Sequence, residues 1–234
     1  MSLQYDKLLL FGDSITEFAF NPEQFSIGTA LTNAYTRKLD VVQRGFSGYN
    51  SRWGVRILKK LLSSESGNIV MAVVFFGAND ACLGGHQRVD VAEYVQNLQA
   101  MVRMLQDRRI KPIVVSPGLI DRGTWDASRQ EEISAGYVRT NEQFKLYAES
   151  LVDWTQRENI PLVNLYKAFS EQKKHKCEDL LADGLHLSGD GYRIYYDELC
   201  RVIDEFYPEL SASNLPYKLP YWRDVKEDGS NIFE

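Results

Sequence analysis

Few residues in this chain have both the type and the setting to do chemistry together. Ser14 follows a short apolar run and Asp13. A serine hydroxyl is a weak nucleophile until a neighbouring base takes its proton. Of the three histidines, His86 lies in a glycine-rich polar loop and His175 in the basic run Lys173-Lys174-His175-Lys176. His186 instead stands in the turn Asp183-Gly184-Leu185-His186. A carboxylate three residues away is placed to accept the imidazole Nδ1 proton, leaving Nε2 free to receive the proton of Ser14. Acyl transfer also needs donors aimed at the developing oxyanion, each worth about 10²–10³ in rate. Gly48 lets a backbone N–H approach closely because it has no Cβ, and Asn79, in Gly77-Ala78-Asn79-Asp80, adds a side-chain N–H. Each of these residues has an ordinary use as well. Ser14 suits a helix N-cap, His186 a loop pair with its neighbour, and Gly48 and Asn79 turn positions. Their conjunction is what points to acyl transfer.

These groups must be positioned by elements far apart in the chain. Lys7 to Phe11, Val41 to Gln43, Ile69 to Phe76, Pro112 to Ser116 and Pro161 to Leu165 are short, rich in branched and aromatic residues, and bounded by Gly, Asp or Pro. They read as buried strands. Between them the apolar residues recur at three and four: Val91, Tyr94, Val95, Leu98, Met101, Val102 and Leu105 in one helix, and Tyr137, Phe144, Tyr147, Leu151 and Trp154 in a second from about Ala135 to Arg157. A last helix carries Tyr192, Tyr195, Leu199, Val202 and Phe206, with Ser188 as its N-cap. Five buried strands separated by helices predict an α/β fold with a parallel sheet covered on both faces. In such a sheet functional groups collect beyond the carboxyl ends of the strands, which is where Ser14, Gly48 and Asn79 fall, with His186 expected to join them.

No repeat, linker or composition shift divides the chain, so residues 1–234 read as one domain. Gly118 to Ser134 is polar and loop-like, long enough for a lid or an insertion. Residues 209–234 form an extension whose Tyr217, Tyr221 and Trp222 are too apolar for a free tail. It is expected to pack on the body or to join a homodimer.

Composition narrows the function classes. Of the 234 residues 44% are hydrophobic, too many for a disordered chain. Thirty-two acidic against 27 basic residues give a net charge of -5, with the signs interleaved, so no nucleic-acid footprint exists and a small neutral partner is the better match. Cys82, Cys177 and Cys200 are odd in number and form no CxxC pair, which argues against a disulfide framework and a structural zinc site and favours free thiols. The longest apolar run, Ile69 to Ala78, is about half the length of a spanning helix. With no cationic flank and long apolar region at the start, the expectation is a cytoplasmic protein without a membrane span.

The four blocks, Gly12-Asp13-Ser14-Ile15, Gly48, Gly77-Ala78-Asn79-Asp80 and Asp183-Gly184-Leu185-His186, resemble in order those of the SGNH hydrolases, also called GDSL esterases and lipases. The resemblance spans the chain from Gly12 to His186. It implies a flavodoxin-like three-layer α/β/α sandwich with a five-stranded parallel sheet. It also implies Ser14 as nucleophile, His186 as general base and Asp183 as its orienting acid. The oxyanion hole would be the backbone N–H groups of Ser14 and Gly48 with the Asn79 side chain. No metal or cofactor is implied. The stretches Gly12 to Phe18, Gln43 to Phe46, Ser51 to Trp53, Gly77 to Ala81 and Trp222 to Val225 are similar to the isoamyl-acetate-hydrolysing branch of the family. That likeness implies short-chain, acetate-type esters as substrates. Phe18, Phe20, Ala81, Leu119 and Leu187 adjoin the motifs and are candidates to line a small apolar pocket, though a core or packing role is the commoner one for each. The blocks leave the leaving group open: an acyltransferase, a thioesterase or a carbohydrate deacetylase would carry the same residues. A non-catalytic binding module on this fold should have lost one of them, and none is lost.

Overall fold

A computed structural model of the chain describes residues 3–233; Met1, Ser2 and Glu234, at the ends of the two terminal segments discussed above, lie outside them. Five strands, β1 (Asp6–Gly12), β2 (Leu39–Gly45), β3 (Ile69–Phe75), β4 (Lys111–Val115) and β5 (Leu162–Val163), form one sheet in the order β2-β1-β3-β4-β5. Every pair is parallel. The strands are near-continuous apolar runs because both faces are covered: Leu8 to Phe11, Met71 to Phe76 and Ile113 to Val115 are all buried.

Among the described residues nine helices fill the connections: α1 (Ser14–Glu17), α2 (Ile27–Ala34), α3 (Ser51–Ser64), α4 (Val91–Gln106), α5 (Arg122–Ala127), α6 (Gln130–Ser134), α7 (Asn141–Glu158), α8 (Leu165–Ser170) and α9 (Gly189–Phe206). Helices α3, α4 and α7 pack in succession, as do α2, α9 and α8. Right-handed crossovers place the first set on one face and α2 on the other, because the chain moves in opposite directions from β1 to β2 and from β2 onward. This is the flavodoxin-like three-layer arrangement. The strand order reverses between β1 and β3, and a crevice opens beyond the carboxyl ends at such a switch point.

Several boundaries differ from the sequence reading, each for a local reason. β2 is longer, Leu39–Gly45 instead of Val41 to Gln43, because it is an edge strand whose half-exposed residues weaken the apolar signal. β5 is only Leu162–Val163. Asn164 ends it by capping α8, its Oδ1 accepting the Lys167 N–H at 2.9 Å. Helix α7 begins at Asn141 rather than near Ala135: Thr140 caps it through the Gln143 N–H, and Gly136 at φ +94° interrupts what precedes. The stretch Gly118 to Ser134, read as a loop, holds α5 and α6, each too short to display a helical period.

Two features bear directly on Ser14. Asp13, not Ser14, caps α1: its Oδ1 accepts the Ile15 N–H at 3.0 Å, so the Ser14 hydroxyl is not consumed by capping. Helix α1 also lies so close to β2 that a Cβ on Gly45 would come within 2.0 Å of the Glu17 nitrogen.

Part of the C-terminal segment lies against the turn between α2 and β2. Lys218 N–H donates to Arg37 C=O at 3.0 Å, Arg37 Nη2 donates to the carbonyls of Leu219 and Pro220, and the Arg37 guanidinium stacks 4.5 Å from the Tyr217 ring centroid. Beyond it Tyr221, Trp222 and Phe233 are exposed, Trp222 by 67%. Among the described residues no helix is long and apolar enough to cross a membrane.

Candidate active site

The first residues after β1, β2 and β3 meet at the switch point. Phe46 N–H donates to Gly12 C=O at 3.0 Å, and Asp13 N–H to Phe75 C=O at 3.3 Å. Helix α1 is held from both sides: Tyr192 on α9 donates to Ile15 C=O at 2.6 Å, and Gln43 Nε2 donates to Glu17 C=O at 2.9 Å. The Glu17 carboxylate in turn accepts the Ser47 N–H at 2.6 Å, tying α1 to the turn Phe46 to Tyr49. That turn closes with Tyr49 N–H on Phe46 C=O at 3.1 Å. Gly48 occupies its third position at φ +78°, a conformation that disfavours a side chain.

His186 reaches this edge from the other end of the chain. Leu181 and Leu187 form an antiparallel bridge, and Ala182 N–H donates to His186 C=O at 2.7 Å, closing a tight turn around Asp183 to His186. Asp183 Oδ1 accepts the backbone N–H groups of Leu185 and His186 at 3.1 and 2.9 Å. Its Oδ2 lies 2.8 Å from His186 Nδ1, and His186 Nε2 lies 2.9 Å from Ser14 Oγ. With Nδ1–H donated to the carboxylate, Nε2 is the acceptor for the serine proton. Burial works to raise the Asp183 carboxyl, but the hydrogen bonds and charge of His186 outweigh it and hold the group down to about 2. Asp183 therefore stays ionised beside the ring.

Asn79 hangs from the end of β3. Its Nδ2 donates to Tyr49 C=O at 2.8 Å, and an amide nitrogen has a second hydrogen to offer. Arg139, buried just before α7, donates to Asn79 Oδ1 at 2.8 Å, to Ala78 C=O at 2.9 Å and to Gln87 Oε1 at 2.9 Å. Gln87 Nε2 then donates to Gly48 C=O at 2.8 Å. Among the described residues, no three His, Cys, Asp or Glu side chains are placed to hold a metal ion.

The pocket candidates divide. The Phe18 ring stands 5.0 Å from the His186 ring and is 40% exposed, so it borders the site. Leu119 packs partly buried against the core. Ala81 and Leu187 expose almost nothing and belong to the core, where burial leaves them no face for a ligand. Phe20 is turned onto Gly28 of α2. Sequence reasoning missed Trp125 on α5, whose ring centroid lies 5.7 Å from that of His186. A lone tryptophan in a stretch otherwise polar was the available signal. Asp121 N–H donates to Gly184 C=O at 2.8 Å, fastening that segment to the histidine turn. Gln87 and Arg139 left no signal, since each is a single polar residue outside any motif. His175, read as solvated, has Nδ1 3.5 Å from Asp190 Oδ2. The three cysteines are free, but only Cys82 is fully buried.

Two further carboxylates lie wholly buried at this edge. Desolvation pushes Asp13 up to about 7 despite its bond from Ile15 N–H, with the Asp80 charge adding to the rise and the Arg139 charge opposing it. Burial likewise pushes Asp80 up to about 7, against the hydrogen bonds from Ser51. Asp13 Oδ2 has no hydrogen-bond partner. For an acid whose folded pKa is raised, the folded state holds the proton longer, so stability is greatest below about pH 4 for this group and declines as pH rises toward 7. Asp13→Asn keeps the cap acceptor and removes one of the two titrations. The fall in Tm between pH 5 and pH 8, followed by calorimetry, is expected to shrink by roughly half; an unaltered slope would show that Asp13 does not titrate in this range.

Known proteins bear out the family resemblance. Residues 10–194 match the GDSL-like lipase/acylhydrolase family. The chain is 50% identical over 237 residues to the isoamyl acetate-hydrolyzing esterase of Saccharomyces cerevisiae, covering 98% of this chain and 99% of that protein. It is 36% identical over 236 residues to the isoamyl acetate-hydrolyzing esterase 1 homolog of Homo sapiens, covering 97% and 90% respectively. A solved lipase/acylhydrolase from Enterococcus faecalis superposes with a TM-score of 0.66 over 92% of this chain and 100% of its own, and at 24% identity that likeness speaks for the fold. The chain belongs to the GDSL-like lipase/acylhydrolase family and is a carboxylic ester hydrolase.

Proposed function

We propose that the chain is a serine esterase that hydrolyses short-chain, acetate-type esters through an acyl-enzyme on Ser14. The observation that carries this reading is the continuous line from the Asp183 carboxylate through His186 to Ser14 Oγ, with contacts of 2.8 and 2.9 Å. Its relatives are named for isoamyl acetate, which supports the acetate class.

In the first half-reaction Ser14 Oγ attacks the ester carbonyl carbon while its proton passes to His186 Nε2. The carbonyl oxygen becomes an oxyanion, received by the N–H groups of Ser14 and Gly48 and the free hydrogen of Asn79 Nδ2. As first residue of α1, Ser14 has an N–H with no acceptor inside its own helix. Collapse breaks the bond to the alkoxy oxygen, which takes the proton from His186 and departs as alcohol. Water then attacks the acyl-serine, giving its proton to His186, and the acid leaves as Ser14 recovers a proton. Asp183 keeps the ring oriented and balances the transient imidazolium. The departing alcohol must pass close to Nε2, where the rings of Phe18 and Trp125 flank the imidazole. The Phe18 ring, 40% exposed beside the imidazole, supports an uncharged alcohol portion and a small neutral ester as partner, and no cofactor enters any step.

The same reading places the protein in the cytoplasm as a single domain acting as a homodimer, joined through residues 209–234. The exposed Tyr221, Trp222 and Phe233 and the half-exposed edge strand β2 support the dimer. Truncation after Pro216 is expected to convert a dimer to a monomer in sedimentation, whereas an unchanged mass would dismiss the interface. For the substrate, initial rates on alkyl acetates of increasing alcohol length and on p-nitrophenyl esters of increasing acyl length separate the two ends of the ester. Activity should tolerate longer alcohols and fall steeply beyond short acyl chains. Preference for long acyl chains, or for thioesters, would overturn the acetate assignment.

A further inference from the structure

Arg139 is a buried charged side chain at this edge that the mechanism above does not use. It is 3% exposed. A guanidinium keeps its charge under all ordinary conditions, and burying a charge is expensive unless it is paired. Yet its hydrogen bonds go to neutral acceptors: the Ala78 carbonyl, Asn79 Oδ1 and Gln87 Oε1. An apolar side chain would fill the same volume at lower cost. The arrangement of its partners shows what the charge achieves.

Guanidinium nitrogens donate and never accept, so each amide facing them must present its oxygen. Asn79 is thereby turned with Oδ1 toward Arg139 and Nδ2 toward Tyr49 C=O. Gln87 is turned in the same way, with Nε2 toward Gly48 C=O. Gly48 and Tyr49 are neighbours in one tight turn. A single guanidinium therefore orients two of the side chains that pin this turn, Asn79 and Gln87, the first of which is itself an oxyanion donor. It also lies 5.5 Å from the centroid of Trp125, the ring that packs on His186.

We propose that Arg139 is the positioning residue of the oxyanion hole: it fixes the amide orientation of Asn79 directly and the Gly48 turn through Gln87, and its buried charge strengthens the Asn79 N–H as a donor. This rests on the esterase reading, because the hole matters only where an oxyanion forms. The positive charge polarises the Asn79 amide by withdrawing electron density toward Oδ1. It also stands within two hydrogen bonds of the developing negative charge.

The test is a kinetic cycle on p-nitrophenyl acetate with Arg139→Gln, Asn79→Ala and the double variant, together with Arg139→Lys. Asn79→Ala alone is expected to lower kcat by about 10²-fold. Arg139→Gln should lower kcat by a similar factor, about 10²-fold, with KM held within about twofold, because the loss falls on the transition state. In the Asn79→Ala background the same substitution should cost less than about tenfold, since one of its two routes of action is already gone. Arg139→Lys should recover part of the loss, as a point charge that cannot serve both amides. If Arg139→Gln does not fold, Arg139→Lys carries the test through a lowered kcat at constant KM. An unchanged kcat in folded Arg139 variants, a loss confined to KM, or an undiminished effect in the Asn79→Ala background would overturn the proposal while leaving the esterase reading intact. An unchanged kcat in Asn79→Ala would instead remove the oxyanion hole itself, and the role of Arg139 with it.

Discussion

The hydrogen bond between Ser14 Oγ and His186 Nε2 joins residues 172 positions apart, and the rest of the architecture is what makes it hold. Ser14 is delivered by a central strand whose end sits at the switch point of the sheet. His186 is delivered by a stapled turn just before the last helix. Neither arm has much freedom. Helix α1 is tied to α9 by Tyr192 and to the end of β2 by Gln43, and the histidine turn is fastened by the Leu181–Leu187 bridge and by Asp121. A hydrogen bond between a hydroxyl and an imidazole contributes only about 1 kcal/mol to folding. The bond is therefore a result of the fold rather than a cause of it, which is how such a contact gains its precision.

Around that contact buried groups of both signs lie close together. Asp13 and Asp80, both wholly buried, are pushed up to about 7 and so surrender part of their negative charge near neutrality. Arg139 cannot surrender its own. Near neutrality the two buried carboxyls therefore carry less than their full negative charge beside the Arg139 guanidinium, while Asp183, held down to about 2, keeps its charge beside the imidazole. A neutral ester needs no long-range attraction to reach such a site, in keeping with the interleaved surface charges and modest net charge of -5.

The parts of this arrangement that were legible in the sequence are those written in short-range patterns. Buried parallel strands leave apolar runs, so the five strands and the fold class could be read from Lys7 to Phe11 onward. Ser14, Gly48, Asn79 and His186 stand directly at the ends of such runs or at a helix entry, where the sheet geometry brings them to one edge. What could not be read depends on contacts with no periodic trace. Helices α5 and α6 are shorter than two turns, so Trp125 looked like part of a polar loop. Arg139 shows no sign in its own neighbourhood that its guanidinium will be buried against Asn79 and Gln87, sixty and fifty-two positions earlier. Ala81 and Leu187 adjoin the motifs yet turn into the core, because adjacency to a motif says nothing about which way a side chain points. The edge strand β2 was read too short for the same reason that it is an edge: its residues are half exposed.

The central claim is that Ser14 is a nucleophile activated by His186, and covalent labelling tests it most directly. Treatment with a fluorophosphonate followed by peptide mass spectrometry should place a single adduct on Ser14 in the native chain, with labelling slowed by at least about 10²-fold in His186→Ala. An adduct at another residue, or equally fast labelling without the imidazole, would contradict the account.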